Sequence, residues 1–328
     1  MSERFLGIDI GGSKSAVLLG QQGSDSQTMQ CLQKRKFATT DFPSPAQFFP
    51  YLRAEIKALL QDSGCSSGDL AGVGVSCGGP LDSRKGLILS PPNLPGWDRV
   101  PIIEMLEAEF SVPVRLQNDA NAGALAEWNW GAGRNCRNMI FLTFGTGLGA
   151  GLILNGQLYS GSSDMAGECG HLRLADFGPV GYGKAGSFEG FCSGGGLAQL
   201  GQMKARELLQ AGTPPDWCPE PEDLPAVNAA ELAAWAKKGD KAALDVFALC
   251  GEYLGRGLAV LIDLLNPERV ILGSIFARTE ELLRLPMEQS LQREALPLSS
   301  ACCQIVPAGL GEAIGDYAAL AVASGRGL

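Results

Sequence analysis

The sequence predicts an α/β protein of two lobes, and three observations carry that expectation. Its 328 residues suit two domains that each bury a core better than they suit one ordinary domain. Apolar, β-prone runs alternate with amphipathic helical stretches, the pattern of mixed sheets flanked by helices. A strand, glycine turn, strand design also occurs twice, at FLGIDIGGSKSAVLLG (5–20) and MIFLTFGTGLGAGLILNG (139–156). The repetition implies two related lobes.

The other elements follow in order. PAQFFPYLRAEIKALLQDSG sets Phe48, Phe49, Leu52, Ile56, Leu59 and Leu60 on one helical stripe that ends near Gly64. AGVGVS and VRLQND read as buried strands, with a helix, PIIEMLEAEF, between them. After Asp119, ANAGALAEWNWG reads as a helix, as do GGGLAQLGQMKARELLQAG and EAIGDYAALAVASG. KAALDVFALCGEYLGRGLAVLIDLLN is a long helix apolar on several faces, hence buried on several sides. RVILGS and CQIVPAG read as strands, and the Pro- and acid-rich TPPDWCPEPEDLP (213–225) as an exposed loop.

Composition narrows the function. Hydrophobic residues make up 45% and charged residues 19%, and no uninterrupted apolar run approaches the ~20 residues of a membrane span. MSERFLGIDIGG enters a strand-like run directly, without the basic segment, apolar core and cleavage site of a secretory leader, so the cytoplasm is the expected location. Ten cysteines without a C-x-x-C pair read as reduced, mostly buried thiols. The net charge of −9 argues against nucleic acid, whose phosphates need clustered Lys and Arg. A small neutral ligand, or a nucleotide carried with magnesium, fits this balance better.

Several motifs imitate other chemistries. GPVGYGKAGSFE (178–189) meets a P-loop pattern at Gly178, Gly183 and Lys184, but Ala185 stands where a hydroxyl must hold magnesium. Gly145, Gly147 and Ala150 fit a dinucleotide fingerprint, yet GLILNGQLYSG follows as strand and turn rather than as a helix. Such a hairpin still lets backbone N–H groups approach a phosphate closely. His171 is the single histidine, which excludes most multi-histidine metal sites, and no G-x-S-x-G occurs to support a hydrolase.

The ordered set D-I-G-G-S-K (9–14), C-G-G-P (77–80), N-L-P-G-W (93–97), N-D-A-N-A-x-A-L-A-E (118–127), F-G-T-G-L-G-A-G (144–151), A-G-E-C-G-H (166–171), V-I-L-G-S (270–274) and G-E-A-I-G-D-Y-A-A (311–319) resembles the ROK family of sugar kinases. That resemblance implies a two-lobed actin-like ATPase (ribonuclease H-like) fold with its active site in the interlobe cleft. The lobes would comprise 1–117 plus 311–328 and 118–310. It further implies ATP-dependent phosphorylation of a hexose hydroxyl, glucose or a related or N-acetylated hexose.

Asp119 would be the general base; its other reading is a helix N-cap. Gly79, Asn93, Asn118, Asp119, Glu168, His171 and Glu189 would bind the sugar, as amides, carboxylates and an imidazole complement hydroxyls. Asp9, Gly11, Gly12, Ser13, Lys14, Gly145, Thr146, Gly147, Gly273 and Ser274 would bind ATP, with Asp9 orienting Mg²⁺ through water. Position 274 is usually a second glycine in the family, so the nucleotide contact there is expected to differ.

Most family members also hold a structural zinc with this histidine and three cysteines of C-x-C-G-x-x-G-C-x-E. Aligned here, Val180, Tyr182 and Ser187 occupy the cysteine places. The expectation is therefore no structural zinc, with hydrophobic packing by Val180 and Tyr182 holding the loop. A homodimer without membrane or nucleic-acid partners is expected. The competing expectation is a sugar sensor with weak or absent catalysis; family repressors carry a helix-turn-helix ahead of the first glycine motif.

Overall fold

The computed structural model describes residues 3–23 and 27–328. Strands β1 (Arg4–Ile10), β2 (Lys14–Gln22) and β3 (Met29–Ala38) form an antiparallel meander, followed by helix α1 (Pro45–Asp62). Strand β4 (Leu70–Cys77), short strands β5 (Leu81–Asp82), β6 (Leu87–Ile88) and β7 (Val100–Pro101), helix α2 (Ile102–Glu107), strand β8 (Val114–Asn118) and helix α3 (Asp119–Trp130) come next. The first sheet has the order β3-β2-β1-β4-β8, with β4 parallel to both β1 and β8.

The second half repeats this order. Strands β9 (Met139–Phe144), β10 (Leu148–Leu154) and β11 (Gln157–Leu158) precede the hairpin β12 (Val180–Gly181) and β13 (Lys184–Ala185). Helices α4 (Phe188–Phe191), α5 (Gly194–Gln210), α6 (Ala229–Lys237) and α7 (Lys241–Leu265) follow, then β14 (Arg269–Leu272), α8 (Ile275–Glu294), α9 (Pro297–Cys302), β15 (Gln304–Pro307) and α10 (Ile314–Ser324). The second sheet runs β11-β10-β9-β14-β15. The twofold strand, glycine turn, strand pattern thus corresponds to the first two strands of each sheet.

Two compact units result: 1–141 with 151–166 and 309–328, and 142–150 with 167–308. Residues 118–141 and 151–166 therefore group with the first unit, whereas the sequence reading set them in the larger lobe. The cause lies in packing, because α3 and the closing helix α10 lie against each other. Glu127 fixes this arrangement: its buried carboxylate accepts N–H bonds from Ala132 (2.7 Å), Gly309 (3.0 Å) and Leu310 (2.9 Å).

The α1 stripe of Phe48, Phe49, Leu52, Ile56, Leu59 and Leu60 is buried as the periodicity predicts. The 213–225 segment is less open than its composition suggests. Cys218 is buried, Trp217 donates its indole N–H to Asp240 (3.0 Å), and 221–226 form a 3₁₀ turn. No described helix is long and apolar enough to cross a membrane.

Candidate active site

In the first unit the predicted residues gather where β1, β4 and β8 end. Asp9, Ala16 and Lys36 occupy one row across β1, β2 and β3. The turn after β1 closes through Gly11 N–H to Lys14 O (3.1 Å), leaving Ser13 and Lys14 at its rim. A Cβ on Gly12 would lie 2.6 Å from Asn93 O and 2.8 Å from Asn93 Cβ, so only glycine allows that approach. The Asn93 side chain also faces Gly78, while Gly79 opens onto free space. Asn93 itself is exposed, but its loop is anchored by buried Leu94 and Trp97, whose indole packs 4.9 Å from Phe48 and 5.6 Å from Phe49. Three sequence motifs therefore meet at one asparagine.

The end of β8 separates two roles that the sequence left open for Asp119. Asn118 is the N-cap of α3, its Oδ1 accepting Asn121 N–H at 2.7 Å. Asp119 is the first helical residue, and its Oδ1 accepts Ala120 N–H at 2.9 Å. The cap reading thus belongs to Asn118, whose amide NH₂ remains for a ligand. The Asp119 side chain is open to solvent, yet desolvation by the surrounding protein raises its carboxyl above the ordinary value, against the pull of the Ala120 and Asp119 N–H groups.

Asp9 is pushed up to about 7, chiefly by burial, then by the charges of Asp119 and Asp316, with Lys34 and Lys36 opposing. Lys34 is ion-paired to Asp316 at the start of α10. Cys77, buried near both acids, has its thiol raised by burial and by their charges, which keeps it neutral. A desolvated carboxyl without a fixed cation partner at Asp9 is a suitable place for a hard, hydrated divalent ion, which would neutralise phosphate charge when bound.

The second unit carries another constellation. Gly145, Thr146 and Gly147 make the turn between β9 and β10, with Gly145 N–H bonded to Gly147 O (3.1 Å) and Gly194 N–H to Gly145 O (2.8 Å). Glu189, in the first turn of α4, accepts Leu148 N–H through Oε2 at 3.0 Å. A Cβ on Gly147 would sit 2.8 Å from that same oxygen. One predicted sugar ligand is therefore bonded to the predicted phosphate hairpin, a link that no local pattern announces.

His171 closes a 3₁₀ turn, its N–H bonded to Glu168 O (3.1 Å), so Glu168 and His171 leave the same short element. Gly273 N–H bonds to Leu142 O (3.0 Å), and Ser274 follows with φ +49°. A cavity of about 520 Å³ opens here, lined among others by Thr146, Ala233, Ala234, Lys237, Ser274 and Arg278. The alanines of α6 and the two basic residues were not marked by any motif.

The ROK family model matches residues 5–325 of this chain. The chain belongs to the ROK family. A glucokinase from Halalkalibacterium halodurans is 30% identical to this ROK protein over 302 residues, 90% of this chain and 88% of that one. A ROK family glucokinase from Streptomyces griseus, solved in complex with glucose and AMPPNP, is 28% identical, with a TM-score of 0.73 over 99% of this chain and 100% of that one. A xylose repressor from Caldicellulosiruptor bescii is 31% identical over 206 residues, 62% of this chain but 50% of its own length. The repeated two-sheet architecture is accordingly that of actin-like ROK sugar kinases.

This ROK chain builds its 178–189 segment without metal ligands. Ser187, in a cysteine place, is buried and spends its Oγ on the N–H of Gly190 (3.0 Å) as the cap of α4. Cys192 is buried against Cys250 O, and among the described residues no three His, Cys, Asp or Glu side chains group as a metal site. These residues do not fit zinc.

Hydrophobic packing is not what shapes the hairpin, contrary to the sequence reading, because Val180 and Tyr182 are 47% and 68% exposed. Hydrogen bonds do that work. Gln199 of α5 accepts Val180 N–H and donates to Val180 O, both at 2.9 Å, and Lys184 Nζ donates to His171 O at 2.6 Å. Tyr182 takes the positive φ of the turn (+44°) and sets its ring edge-on to His171, 5.2 Å away.

Proposed function

We propose that this ROK sugar kinase transfers the γ-phosphoryl group of ATP to a hydroxyl of a hexose, glucose or an N-acetylated relative, with Asp119 as the general base. The observation that carries the reading is the division of labour at the start of α3. Asn118 satisfies the helix, so Asp119 keeps one carboxylate oxygen for substrate. Its raised pKa makes the ionised carboxylate a stronger proton acceptor than an ordinary aspartate. As the sugar oxygen bonds to the γ-phosphorus and the bond to the β,γ-bridging oxygen breaks, the hydroxyl proton passes to Asp119.

The remaining roles follow from chemistry. Gly79, Asn93 and Asn118 of the first unit, and Glu168, His171 and Glu189 of the second, present the donors and acceptors that sugar hydroxyls require. Asp9, Gly11, Gly12, Ser13 and Lys14 face phosphate, as do Gly145, Thr146 and Gly147; Ser274 borders the nucleoside cavity, and Gly273 precedes it in the chain. Mg²⁺ would be held with ATP and reach Asp9 through water. The ten cysteines, none of them in a disulfide, suit a reducing compartment, and exposed Leu264, Leu285, Leu296 and Leu298 suit a homodimer.

The test is ADP release over a panel of monosaccharides, with Asp119→Asn run alongside. At least one hexose should stimulate turnover, and Asp119→Asn should lower kcat by about 10²- to 10⁴-fold while sugar binding persists. Full activity in Asp119→Asn would remove the base from the mechanism. The similarity to a xylose repressor supports a second reading, a sugar sensor. Its mark would be sugars that raise the melting temperature yet never stimulate ADP release.

A further inference from the structure

The cavity beside Ser274 holds a device that the phosphate and sugar motifs do not explain. One wall is a face of α6 built from Ala229, Ala230, Ala233 and Ala234, positions that repeat one helical turn apart. Methyl groups at this spacing make a flat apolar surface. Arg278 also lines the cavity, and its Nη2 donates to Ser274 Oγ at 3.0 Å. Ser274 adopts φ +49° and ψ −104°, a conformation that glycine reaches easily and a side chain only with strain. The chain thus accepts a strained serine, and its hydroxyl tethers one Nη of the Arg278 guanidinium at the cavity wall.

We propose that Arg278, oriented by Ser274, stacks on the purine base of the phosphoryl donor and sets the preference for purine over pyrimidine nucleotides. A guanidinium is planar, delocalised and weakly hydrated, so it pairs with an aromatic face better than an ammonium does. The alanine surface suits the broad face of a bicyclic base, while Lys237 is held by Arg278 O (2.9 Å) and Glu281 (2.9 Å) and leaves the stacking to Arg278. This inference rests on the reading of the protein as an ATP-dependent kinase and deepens it by naming a specificity-determining residue.

The experiment is equilibrium binding of Mg²⁺ with ADP, CDP and inorganic tripolyphosphate to the wild-type chain and to Arg278→Ala, Arg278→Lys and Ser274→Gly. Arg278→Ala should weaken ADP by about two- to fivefold, the range of a cation–π contact at an exposed site. CDP should weaken less, and tripolyphosphate not at all. Arg278→Lys should fail to restore ADP affinity, and Ser274→Gly should give a smaller loss in the same order. Arg278 is exposed, so an unchanged melting temperature serves as the folding control.

Unchanged ADP affinity in Arg278→Ala overturns the proposal, as does an equal loss for tripolyphosphate, which would assign the arginine to phosphate. If wild-type protein binds no nucleotide at all, the kinase reading falls with it, an outcome distinct from the other two.

Discussion

A carboxyl that keeps its proton until about pH 7 makes Asp9 sensitive to both pH and ligand. In the unfolded chain the same group ionises near 3.8, so between about 4 and 7 the folded state binds more protons than the unfolded state. Stability conferred by this group is therefore present at acid pH and declines as pH rises through that window. Asp119, raised by desolvation from the surrounding protein although its side chain is open to solvent, acts in the same direction. Nucleotide with magnesium favours the ionised form of Asp9, so its affinity should increase as pH passes 7. Asp9→Asn should flatten much of the pH dependence of the melting temperature and of nucleotide affinity. Slopes identical to wild type in that variant would show that another group titrates.

The candidate residues that the sequence offered are those whose surroundings are local. The glycines of 11–12 and 145–147 and the acids Asp9 and Asp119 lie on short turns or element ends whose shape the neighbouring residues dictate. The place of Arg278 in the cavity was not readable, because the facing wall comes from residues more than 40 positions earlier in the chain. The choice between Asn118 and Asp119 as cap likewise turns on a one-residue register that periodicity does not resolve.

Among elements, the 178–189 hairpin shows how a glycine-rich loop without metal ligands keeps its form. Two bonds from one Gln199 amide clamp Val180, and Lys184 ties the opposite strand to His171. Each bond contributes about 0.5–1.5 kcal/mol, enough together to bias a short hairpin. Gln199→Ala should raise KM for the sugar several-fold and leave nucleotide affinity unaltered, because the hairpin adjoins His171 and Glu189 rather than the nucleoside cavity. Added zinc should not rescue it, and protein purified without added metal should contain no stoichiometric zinc. Wild-type sugar kinetics in Gln199→Ala would mean that the other contacts suffice.

Element boundaries were largely legible from the stripe of α1, the long apolar run of α7 and the paired glycine turns, although α7 leaves Leu244, Leu249, Val260 and Leu264 exposed rather than burying several faces. The Gln199 clamp was hidden, because glutamine on an amphipathic helix carries no mark of its distant partner. The exposed Val180 and Tyr182 misled the reading for a related reason: apolar residues suggested packing where the backbone makes the connections.

At the scale of the molecule, the sequence repeat reappears as two sheets with the same strand order. Unit membership was less visible, because the positions of 118–141 and 151–166 are decided by the long-range packing of α3 and α10. Ligands that bind only the folded chain stabilise it by mass action, by about 2.7 kcal/mol at a hundredfold excess over Kd. A hexose substrate alone, and Mg²⁺ with ADP alone, should each raise the melting temperature in a concentration-dependent manner. A sugar that stimulates ADP release without any such shift would contradict binding to the native state described here.

The bond from Leu148 N–H to Glu189 has a stereochemical consequence. With Oε2 already accepting a backbone N–H, Oε1 is the freer oxygen of the pair, so a sugar held by Glu189 would make its strongest bond there through a single hydroxyl. Recognition at this residue would then read one ring position. Epimers differing there should be distinguished sharply, whereas changes at the adjoining carbon would have to be sensed by other side chains.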